Sequence, residues 1–469
     1  MSITPYKSLI NITKSGFKSY LLSIFVILFF TGCTSIGKIE NSPEAQLPTG
    51  NERYSVIKYA QEHSNGDVLF VLAFSGGGTR AAALSYGVLE ELRDTHYQSN
   101  NGEDMRLLDE VDRISSVSGG SFTSAYYGLF GDKIFEDFKD VFLYKDVEGD
   151  LGHLVFGFFD FIGRMFSTTS RTEVAINYYD KHIFQGKTFA DLQKAGGPFI
   201  FINATDLTSQ NQFTFIQPQF DFLCSDLSQF KIARAVAASS AVPIVFPPIL
   251  LERHEDCNYQ KPQWLSEAET RAIANDDLRL KKSVSALNYY IDKNNPDYLM
   301  LLDGGISDNL GLRSVLNSVA LSGGAASKYK KIQKDRVRPK HVVFLVVDAS
   351  TTTDTGMGTT AELPSISSTL SAVTDIQLHL YNTETNTLAK EELMEWAKTI
   401  STEEAPLTPY FIDLNVNGIE DKQDRIFFNE VPTTFTLEKP QADKLIVLAR
   451  EMLRSNPEYQ KLLQNLKVN

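Results

Sequence analysis

Hydrophobic residues in this chain form short, almost unbroken apolar runs, with segments of helical periodicity between them. The runs that we interpret as strands are Val68–Phe74, Arg113–Val117, Phe199–Ala204, Leu299–Leu302 and Val342–Val347. An unbroken apolar run is typical of a parallel strand that is buried on both faces. After the first run, Leu84, Val88 and Leu92 recur with the spacing of one helix face. This alternation predicts an α/β fold with a mainly parallel central sheet, whose functional loops follow the carboxyl ends of the strands.

A further apolar run near the N-terminus has the pattern of an export signal. It covers Leu21–Phe30, follows three lysines, and is shorter than the about 20 apolar residues of a membrane-spanning helix. The run ends in Phe30–Cys33 (FTGC), and small residues before a single cysteine resemble the lipobox of bacterial lipoproteins. We therefore expect residues 1–32 to be a lipoprotein signal peptide and Cys33 to be lipidated. An ordinary cleaved signal and an uncleaved short anchor are the alternatives.

The remaining polarity pattern divides the mature chain into three parts. Residues 33–65 are polar and lack a sustained period, which predicts a tether between the lipid and the body. Residues 66–350 contain the strand pattern and are the predicted catalytic domain. A Thr/Gly-rich stretch then leads into residues 351–469, which we predict to be a mostly helical extension packed on the core.

Charge and cysteine content narrow the possible partners. The chain has a formal net charge of −13 and 42% hydrophobic residues. It is therefore a globular protein that is too acidic to favour binding to nucleic acid or electrostatic adhesion to an anionic membrane.

With Cys33 assigned to lipid, Cys224 and Cys257 remain, and an exported protein can join them in a disulfide. Two cysteines so far apart do not indicate a metal site. Thr34 after the cysteine, by resemblance to lipoprotein sorting signals, favours the outer membrane of a bacterial cell envelope.

The loop after the second strand contains a candidate nucleophile. Ser116-Val117-Ser118-Gly119-Gly120 matches the G-x-S-x-G pattern of a nucleophile elbow except that Ser116 replaces the first glycine. In such an elbow the central serine occupies a strained strand-to-helix turn, and small neighbours let the backbone fold tightly. A simple Ser/Gly turn is the alternative interpretation.

The loop after the first strand is rich in glycine. Gly76, Gly77 and Gly78 precede Thr79 and Arg80 and then a helical pattern. Backbone amides of such a loop can hold an anion at a helix N-terminus, either a bound phosphate or an oxyanion formed during catalysis. The stretch also fits the G-x-G-x-x-A dinucleotide pattern, but that pattern requires an acidic residue after the second strand, where this chain has the serine loop instead.

A carboxylate follows a third apolar run. Asp303-Gly304-Gly305 comes directly after Leu301 and Leu302, and although Asp-Gly-Gly can be a simple turn, active sites of α/β sheets form at this position. Burial there raises the pKa of a carboxyl group, as a base acting on a hydroxyl requires.

Together, these three motifs resemble the patatin-like phospholipase family over about Val68 to Ala349. The resemblance implies a modified α/β-hydrolase fold, a three-layer sandwich, in which a Ser–Asp dyad acts without histidine. It places the nucleophile at Ser118, the base at Asp303 and the oxyanion donors at Gly76, Gly77 and Gly78. Two further segments resemble the family, Asn203–Leu207 and Ala238–Pro243, whereas Ser75 and Ser116 depart from its usual Asp and Gly.

The positions of the histidines also favour a dyad. A triad in the order of the α/β-hydrolases needs a histidine after the acid, and only His341 and His379 follow Asp303. His341 precedes its strand and so lies at the wrong edge of the sheet, and His379 lies within a helical pattern.

The sequence therefore predicts a membrane-anchored serine hydrolase that cleaves fatty-acyl esters of a phospholipid or lysophospholipid, with no metal or organic cofactor. A transacylase or thioesterase would use the same site, and a non-catalytic lipid-binding or scaffolding lipoprotein is the alternative from another class. The Phe-rich segment 153–166 fits a core helix better than an acyl pocket or an interfacial helix. The basic segment 322–340, with seven cations and one acid, fits a solvated loop better than a headgroup-binding patch.

Overall fold

The structure is a computed structural model that describes part of the 469-residue chain. The described residues are 37–45, 53–56, 59, 67–99, 102–156, 171–243, 245–255, 257, 259–332, 339–352 and 361–466. The predicted signal peptide, Cys33 and most of the Phe-rich segment lie outside these residues.

Strands form at every apolar run that the sequence analysis singled out for the sheet. The strands are β1 Val68–Phe74, β2 His96–Gln98, β3 Asp104–Arg106, β4 Val111–Val117, β5 Phe199–Asp206, β6 Asn211–Thr214, β7 Ile249–Glu252, β8 Tyr298–Asp303, β9 His341–Val347 and β10 Thr408–Leu414.

Helices connect and cover these strands. They are α1 Gly78–Asp94, α2 Gly119–Phe130, α3 Ile134–Phe138, α4 Val147–Phe156, α5 Arg171–His182, α6 Phe189–Ala195, α7 Gln217–Asp221, α8 Ile232–Ser239, α9 Gln263–Ala274, α10 Leu278–Ile291, α11 Gly305–Asp308, α12 Leu312–Leu321, α13 Ala325–Ile332, α14 Ile366–Ile400, α15 Lys422–Glu430, α16 Lys439–Ser455 and α17 Pro457–Leu466. Short 3-10 turns occur at Leu107–Glu110, Gly131–Lys133 and Val416–Gly418, and a π turn at Lys139–Leu143.

The central sheet is mainly parallel, as predicted. Its order is β10-β9-β1-β4-β5-β8-β7, and β6 pairs with β5. The strands from β10 to β5 are parallel to one another, whereas β8 runs antiparallel to both β5 and β7. The carboxyl ends of β1, β4 and β5 therefore meet at one edge of the sheet, which we call the catalytic edge.

Helices cover both faces of the sheet, which gives the predicted three-layer sandwich. Phe70, Leu72 and Phe74 of β1 pack into a core with α1, α2 and α16. Val71 and Ala73, which point to the opposite face, pack into a second core with α12 and α14. Because alternate residues of one strand enter different cores, an unbroken apolar run was the right signal for a strand buried on both faces.

Residues after 350 complete the sheet as well as covering it. The described ones are mostly helical, but β10 also pairs with β9 in register from Thr408↔His341 to Leu414↔Val347. Helix α16 packs against α1, where Arg450 and Arg454 form ion pairs with Glu91. This segment is therefore part of the same folded body as the strands before it.

The described residues of the predicted tether lie against the body and do not hang free. Tyr54 is 5% exposed and stacks on Phe199, with 4.3 Å between ring centroids. The side chain of Asn41 bonds Ser225 and the backbone of Glu252. The sequence predicted a free tether, whereas these residues are packed on the folded body. Single aromatic and amide side chains can dock a segment even where the sequence has no apolar periodicity.

The described part of the basic segment also differs from the predicted loop. Residues Ala325–Ile332 form α13, and Lys328 is 6% exposed with its ammonium bonded to Ser318. Among the residues that the structure describes, no helix is both long and apolar enough to cross a membrane.

Candidate active site

Ser118 occupies the turn between β4 and α2 and has the strained backbone of a nucleophile elbow. Its φ of 51° lies in the left-handed region, which is uncommon for a residue with a side chain. A Cβ atom on Gly119 would lie 1.9 Å from the carbonyl oxygen of Gly78, and one on Gly120 would lie 2.7 Å from Cβ of Phe74. Only glycine therefore fits on the helix side of the elbow.

Ser116, on the strand side, is accommodated through hydrogen bonds. Its hydroxyl donates to the carbonyl of Phe201 at 3.0 Å and accepts from Ser124 at 2.7 Å. A serine in place of the family's glycine therefore leaves no buried polar atom without a partner at this position.

The structure brings Ser118 and Asp303 into direct contact. Oγ of Ser118 donates to Oδ2 of Asp303 at 2.9 Å, although 185 residues separate them in sequence. Oδ1 of Asp303 accepts the amide of Gly305 at 2.8 Å, which orients the carboxylate. Ser118 is 5% exposed and Asp303 is 9% exposed, so the pair lies largely out of water.

The direction of β8 explains how Asp303 reaches the serine, and it differs from our expectation. We treated the strand as one of the parallel set, but β8 runs antiparallel and overlaps β5 only over the three residues Ala204 to Asp206. It enters from the catalytic edge and ends where Asp303 lies opposite Ala204. The next residue back in β5, Asn203, pairs with Val117, the residue before the nucleophile. The carboxylate thus reaches the predicted edge because its strand stops early.

Burial raises the pKa of Asp303 from its usual range to about 6, and the bonds from the Gly305 amide and the Ser118 hydroxyl oppose part of this rise. A carboxylate with this pKa is mostly ionised at neutral pH. It is also more basic than an exposed aspartate, whose pKa is about 3.9, and is therefore better suited to accept a proton from a hydroxyl.

Ser239 supports both members of the pair, a role that the sequence did not reveal. Its hydroxyl accepts the amide of Ser118 at 2.9 Å and donates to the carbonyl of Asn203 at 2.6 Å. Its carbonyl accepts the amide of Gly304, next to Asp303, at 3.1 Å. The resemblance of segment 238–243 pointed to this region, but only the structure shows that Ser239 joins the two loops.

The glycine-rich loop lies directly beside the elbow. An added Cβ on Gly76 would be 3.4 Å from Cβ of Ser118. Gly77 and Gly78 have φ values of 137° and 61°, so both use backbone conformations that favour glycine. Within the described residues, no acceptor is bonded to the amides of Gly77 and Gly78, which leaves both amides free to bind an anion.

The amide of Gly76 is not free to act as the oxyanion donor that the resemblance implied. Its amide already donates to the carbonyl of Asn309 at 3.0 Å. That bond ties the loop to the segment after α11, and a hydrogen already shared there is not directed at a substrate. The candidate donors are therefore Gly77 and Gly78.

Arg80 anchors the loop from within the fold. The side chain is 2% exposed and donates to the carbonyls of Ala349 and Val431 and to the hydroxyl of Thr433. Burial lowers its pKa to about 10, so it is a cation at neutral pH. Because its donors are directed at these oxygens, Arg80 positions the glycines and is not placed to bind an anionic substrate.

The histidines lie where the sequence placed them. His341 starts β9 opposite Val68, at the edge of the sheet away from Ser118, and His379 lies within α14. No described histidine hydrogen-bonds Ser118 or Asp303.

Cys224 and Cys257 form a disulfide in the structure, with their Cα atoms 5.4 Å apart. It links the end of the α7 segment to the loop after β7, and the carbonyl of Cys224 accepts the amide of Glu44. No group of three or more metal-ligating side chains occurs in the described part of the chain.

Comparison with known proteins identifies the family of the chain. A sequence model of the family described as Patatin, patatin-like phospholipase, matches residues 72–316, more than half of the chain. The chain belongs to the patatin-like phospholipase family. The resemblance that the motifs suggested is thereby confirmed, and membership supports lipid acyl hydrolase activity.

The chain also aligns with solved structures. Human GIVD cytosolic phospholipase A2 aligns with 13% identity and a TM-score of 0.41, covering 93% of this chain and 66% of that one. The same human enzyme in complex with methyl gamma-linolenyl fluorophosphonate aligns with 12% identity and a TM-score of 0.37, with the same coverage. This chain therefore spans just under two thirds of the length of that enzyme. No curated protein matches the chain.

Proposed function

We propose that this patatin-like protein hydrolyses fatty-acyl esters of phospholipids or lysophospholipids through a Ser118–Asp303 dyad. The observation that carries the proposal is the 2.9 Å hydrogen bond from Ser118 to Asp303 on a strained elbow, beside the unpaired amides of Gly77 and Gly78. A nucleophile, a base and an oxyanion site in contact are the groups that acyl transfer requires.

The reaction would begin with proton transfer from Ser118 to Asp303. As Oγ of Ser118 attacks the ester carbonyl, its proton passes to Oδ2 of Asp303, and the carbonyl oxygen becomes an oxyanion held by the amides of Gly77 and Gly78. Collapse of this intermediate breaks the ester C–O bond, and the leaving alcohol takes the proton from Asp303. Water, deprotonated by Asp303, then attacks the acyl-serine. As the Oγ–acyl bond breaks, Ser118 takes the proton from Asp303 and the fatty acid is released.

Isotope incorporation during hydrolysis of phospholipid vesicles tests this function. In water enriched in ¹⁸O, each fatty acid released by acyl-enzyme hydrolysis gains one solvent oxygen, whereas transfer to an alcohol yields a new acyl ester without it. A transacylase is the outcome if the new ester dominates. Failure to release any fatty acid, with vesicle binding retained, would favour the lipid-binding lipoprotein.

The rate is expected to depend on pH through Asp303. The base must be ionised, and its pKa is raised to about 6. We therefore expect kcat/KM on a soluble ester to fall about tenfold per pH unit below 6 and to level off above it. A profile of kcat/KM against pH, measured on the full chain, checks this. If kcat/KM began to fall only below about pH 4, the carboxylate would be working without a raised pKa.

Attachment to the membrane is proposed through a lipid on Cys33. Replacement of Cys33 by Ser should release the protein from the membrane fraction or stop its processing, because the acylated residue is lost. Cell fractionation and intact-mass measurement check this, with Cys257→Ser as the control for loss of a cysteine elsewhere. A Cys33→Ser protein that fractionates and migrates as the wild type does would exclude lipidation. The outer membrane is the proposed location.

A further inference from the structure

Helix α14 is much longer than the sheet that it covers. Ala389, Leu393 and Ala397 in its C-terminal part pack into the core beneath β9 and β10. Asn382 reaches Asp348, the residue directly after β9, so the helix crosses the catalytic edge at that position. The sixteen residues from 366 to 381 therefore extend past this edge, by about 24 Å at 1.5 Å per residue.

The extension presents apolar side chains to solvent on one face. Val373 is 52% exposed, Ile376 56% and Leu380 61%, and their spacing of three and four residues places them in one row. We call these three residues the apolar stripe. Asp375 lies about 200° around the helix from Val373, so the stripe itself contains no charge.

Charge is distributed unevenly along α14. Between residues 363 and 381 the one Asp, Glu, Lys or Arg is Asp375, and the other polar side chains are those of Ser, Thr, Gln, His and Tyr. The part that packs on the sheet contains six charged residues: Glu384, Lys390, Glu391, Glu392, Glu395 and Lys398. An exposed apolar row with few charges is typical of a surface that another apolar phase covers.

Further exposed apolar residues lie around the Ser118–Asp303 pair at the same edge. Val245, 51% exposed, follows the loop whose Ala241 carbonyl accepts the amide of Asp303. Ile306, 50% exposed, comes three residues after Asp303. Asn382, two residues after Leu380, and Asn309, three residues after Ile306, both donate hydrogen bonds to the hydroxyl of Ser350, so the start of the extension lies near this part of the edge.

We propose that the apolar stripe of α14 docks into the interfacial layer of a lipid bilayer and turns the catalytic edge toward the membrane. The lipid substrate in this argument rests on the function proposed above. A chain with a net charge of −13 gains little from anionic headgroups, so apolar insertion is the available attraction. The extension is shorter than the about 30 Å thickness of the hydrocarbon core, so it lies in the interface and does not span it.

Tryptophan fluorescence tests the docking without requiring catalysis. Leu380→Trp and, as the matched control, Ile273→Trp are made in the full chain with Ser118→Ala, so that vesicles are not digested. Ile273 is 69% exposed at the end of α9, where Arg271 bonds the carbonyls of Ala320 and Leu321 at the end of α12, far from the catalytic edge. Any N-terminal anchor is identical in both variants.

Vesicles of brominated phosphatidylcholine, which have no net charge, should quench Leu380→Trp at least about twofold more than Ile273→Trp. Equal quenching of the two variants would overturn the proposal. A second combination of results would also overturn it. If light scattering shows a dimer that Ile376→Glu dissociates, and Leu380→Trp stays unquenched, then the stripe is the interface with a second copy of the chain.

A second pair of variants connects docking to activity. Ile376→Glu should lower hydrolysis of vesicle phospholipid about tenfold and leave a soluble short-chain ester within about twofold of the wild type, whereas Ile273→Glu should change neither. Equal loss on both substrates would overturn the proposal. If the wild type cleaves no vesicle lipid but Leu380→Trp is still quenched, docking stands and the proposed function fails.

Discussion

Replacement of Asp303 by Asn is expected to reduce ester hydrolysis about 10⁴-fold, because the amide keeps the shape of the carboxylate but cannot accept the serine proton. The fold should survive the change. Burial raises the pKa of Asp303 above that of an unfolded aspartate, which means that its ionised form destabilises the folded state at neutral pH. The melting temperature of Asp303→Asn should therefore stay the same or rise. Ser118→Ala should be equally inactive, and the double variant hardly worse, since the two residues act together.

Asp308→Asn is the matched control for this experiment. Asp308 is 1% exposed, has a pKa that burial raises to about 6, and lies five residues after Asp303. Its carboxylate bonds Gln212 and the amide of Arg313 and not Ser118. Activity should largely persist in this variant. If His341→Ala or His379→Ala in a folded protein were as damaging as Asp303→Asn, a triad would replace the dyad.

Replacement of Gly78 by Ala is expected to lower kcat about 10²–10³-fold, the usual effect of losing one oxyanion donor. Gly78 has a φ of 61°, and an added Cβ would lie 2.2 Å from the carbonyl oxygen of Thr434, so the loop must shift and take its amide with it. The measurement is the kcat on a soluble ester, with the melting temperature recorded in parallel.

Gly131→Ala separates this effect from backbone strain alone. Gly131 follows α2 with a φ of 55°, and an added Cβ would meet no atom within 4 Å. That variant should lose about 1 kcal/mol of stability through the left-handed backbone and keep its activity. Comparable kcat values for Gly78→Ala and Gly131→Ala would show that the Gly78 amide takes no part in the reaction.

The sequence indicated which residues lie at the catalytic edge because the motifs that mark them are short and local. Buried parallel strands read as unbroken apolar runs, and small residues after them mark loops where the backbone must approach closely. Ser118 and the Gly76–Gly78 loop follow neighbouring parallel strands, so their proximity was predictable. Asp303 was also placed at the right edge, although the reason given was incomplete, since an apolar run does not reveal the direction of β8.

What the sequence could not predict depends on long-range contacts. The bond from the Gly76 amide to Asn309 and the approach of Thr434 to Gly78 join segments more than 200 residues apart, and neither leaves a pattern. Likewise, β10 follows a long helix and joins the sheet only because β9 offers a free edge. Tyr54 is docked by ring contacts with Phe189 and Phe199 and by hydrogen bonds between its hydroxyl and the backbone of Ile200, and no periodicity in the sequence predicts these contacts.

Covalent capture of the nucleophile tests the central claim most directly. The full chain, its Ser118→Ala variant and its Asp303→Asn variant are treated with an alkyl fluorophosphonate and analysed by intact mass and peptide mapping. We predict one adduct per wild-type chain on the peptide that contains Ser118, none in Ser118→Ala, and much slower labelling in Asp303→Asn. An adduct on a different residue, or equal labelling rates in the wild type and Asp303→Asn, would contradict a Ser118 nucleophile activated by Asp303.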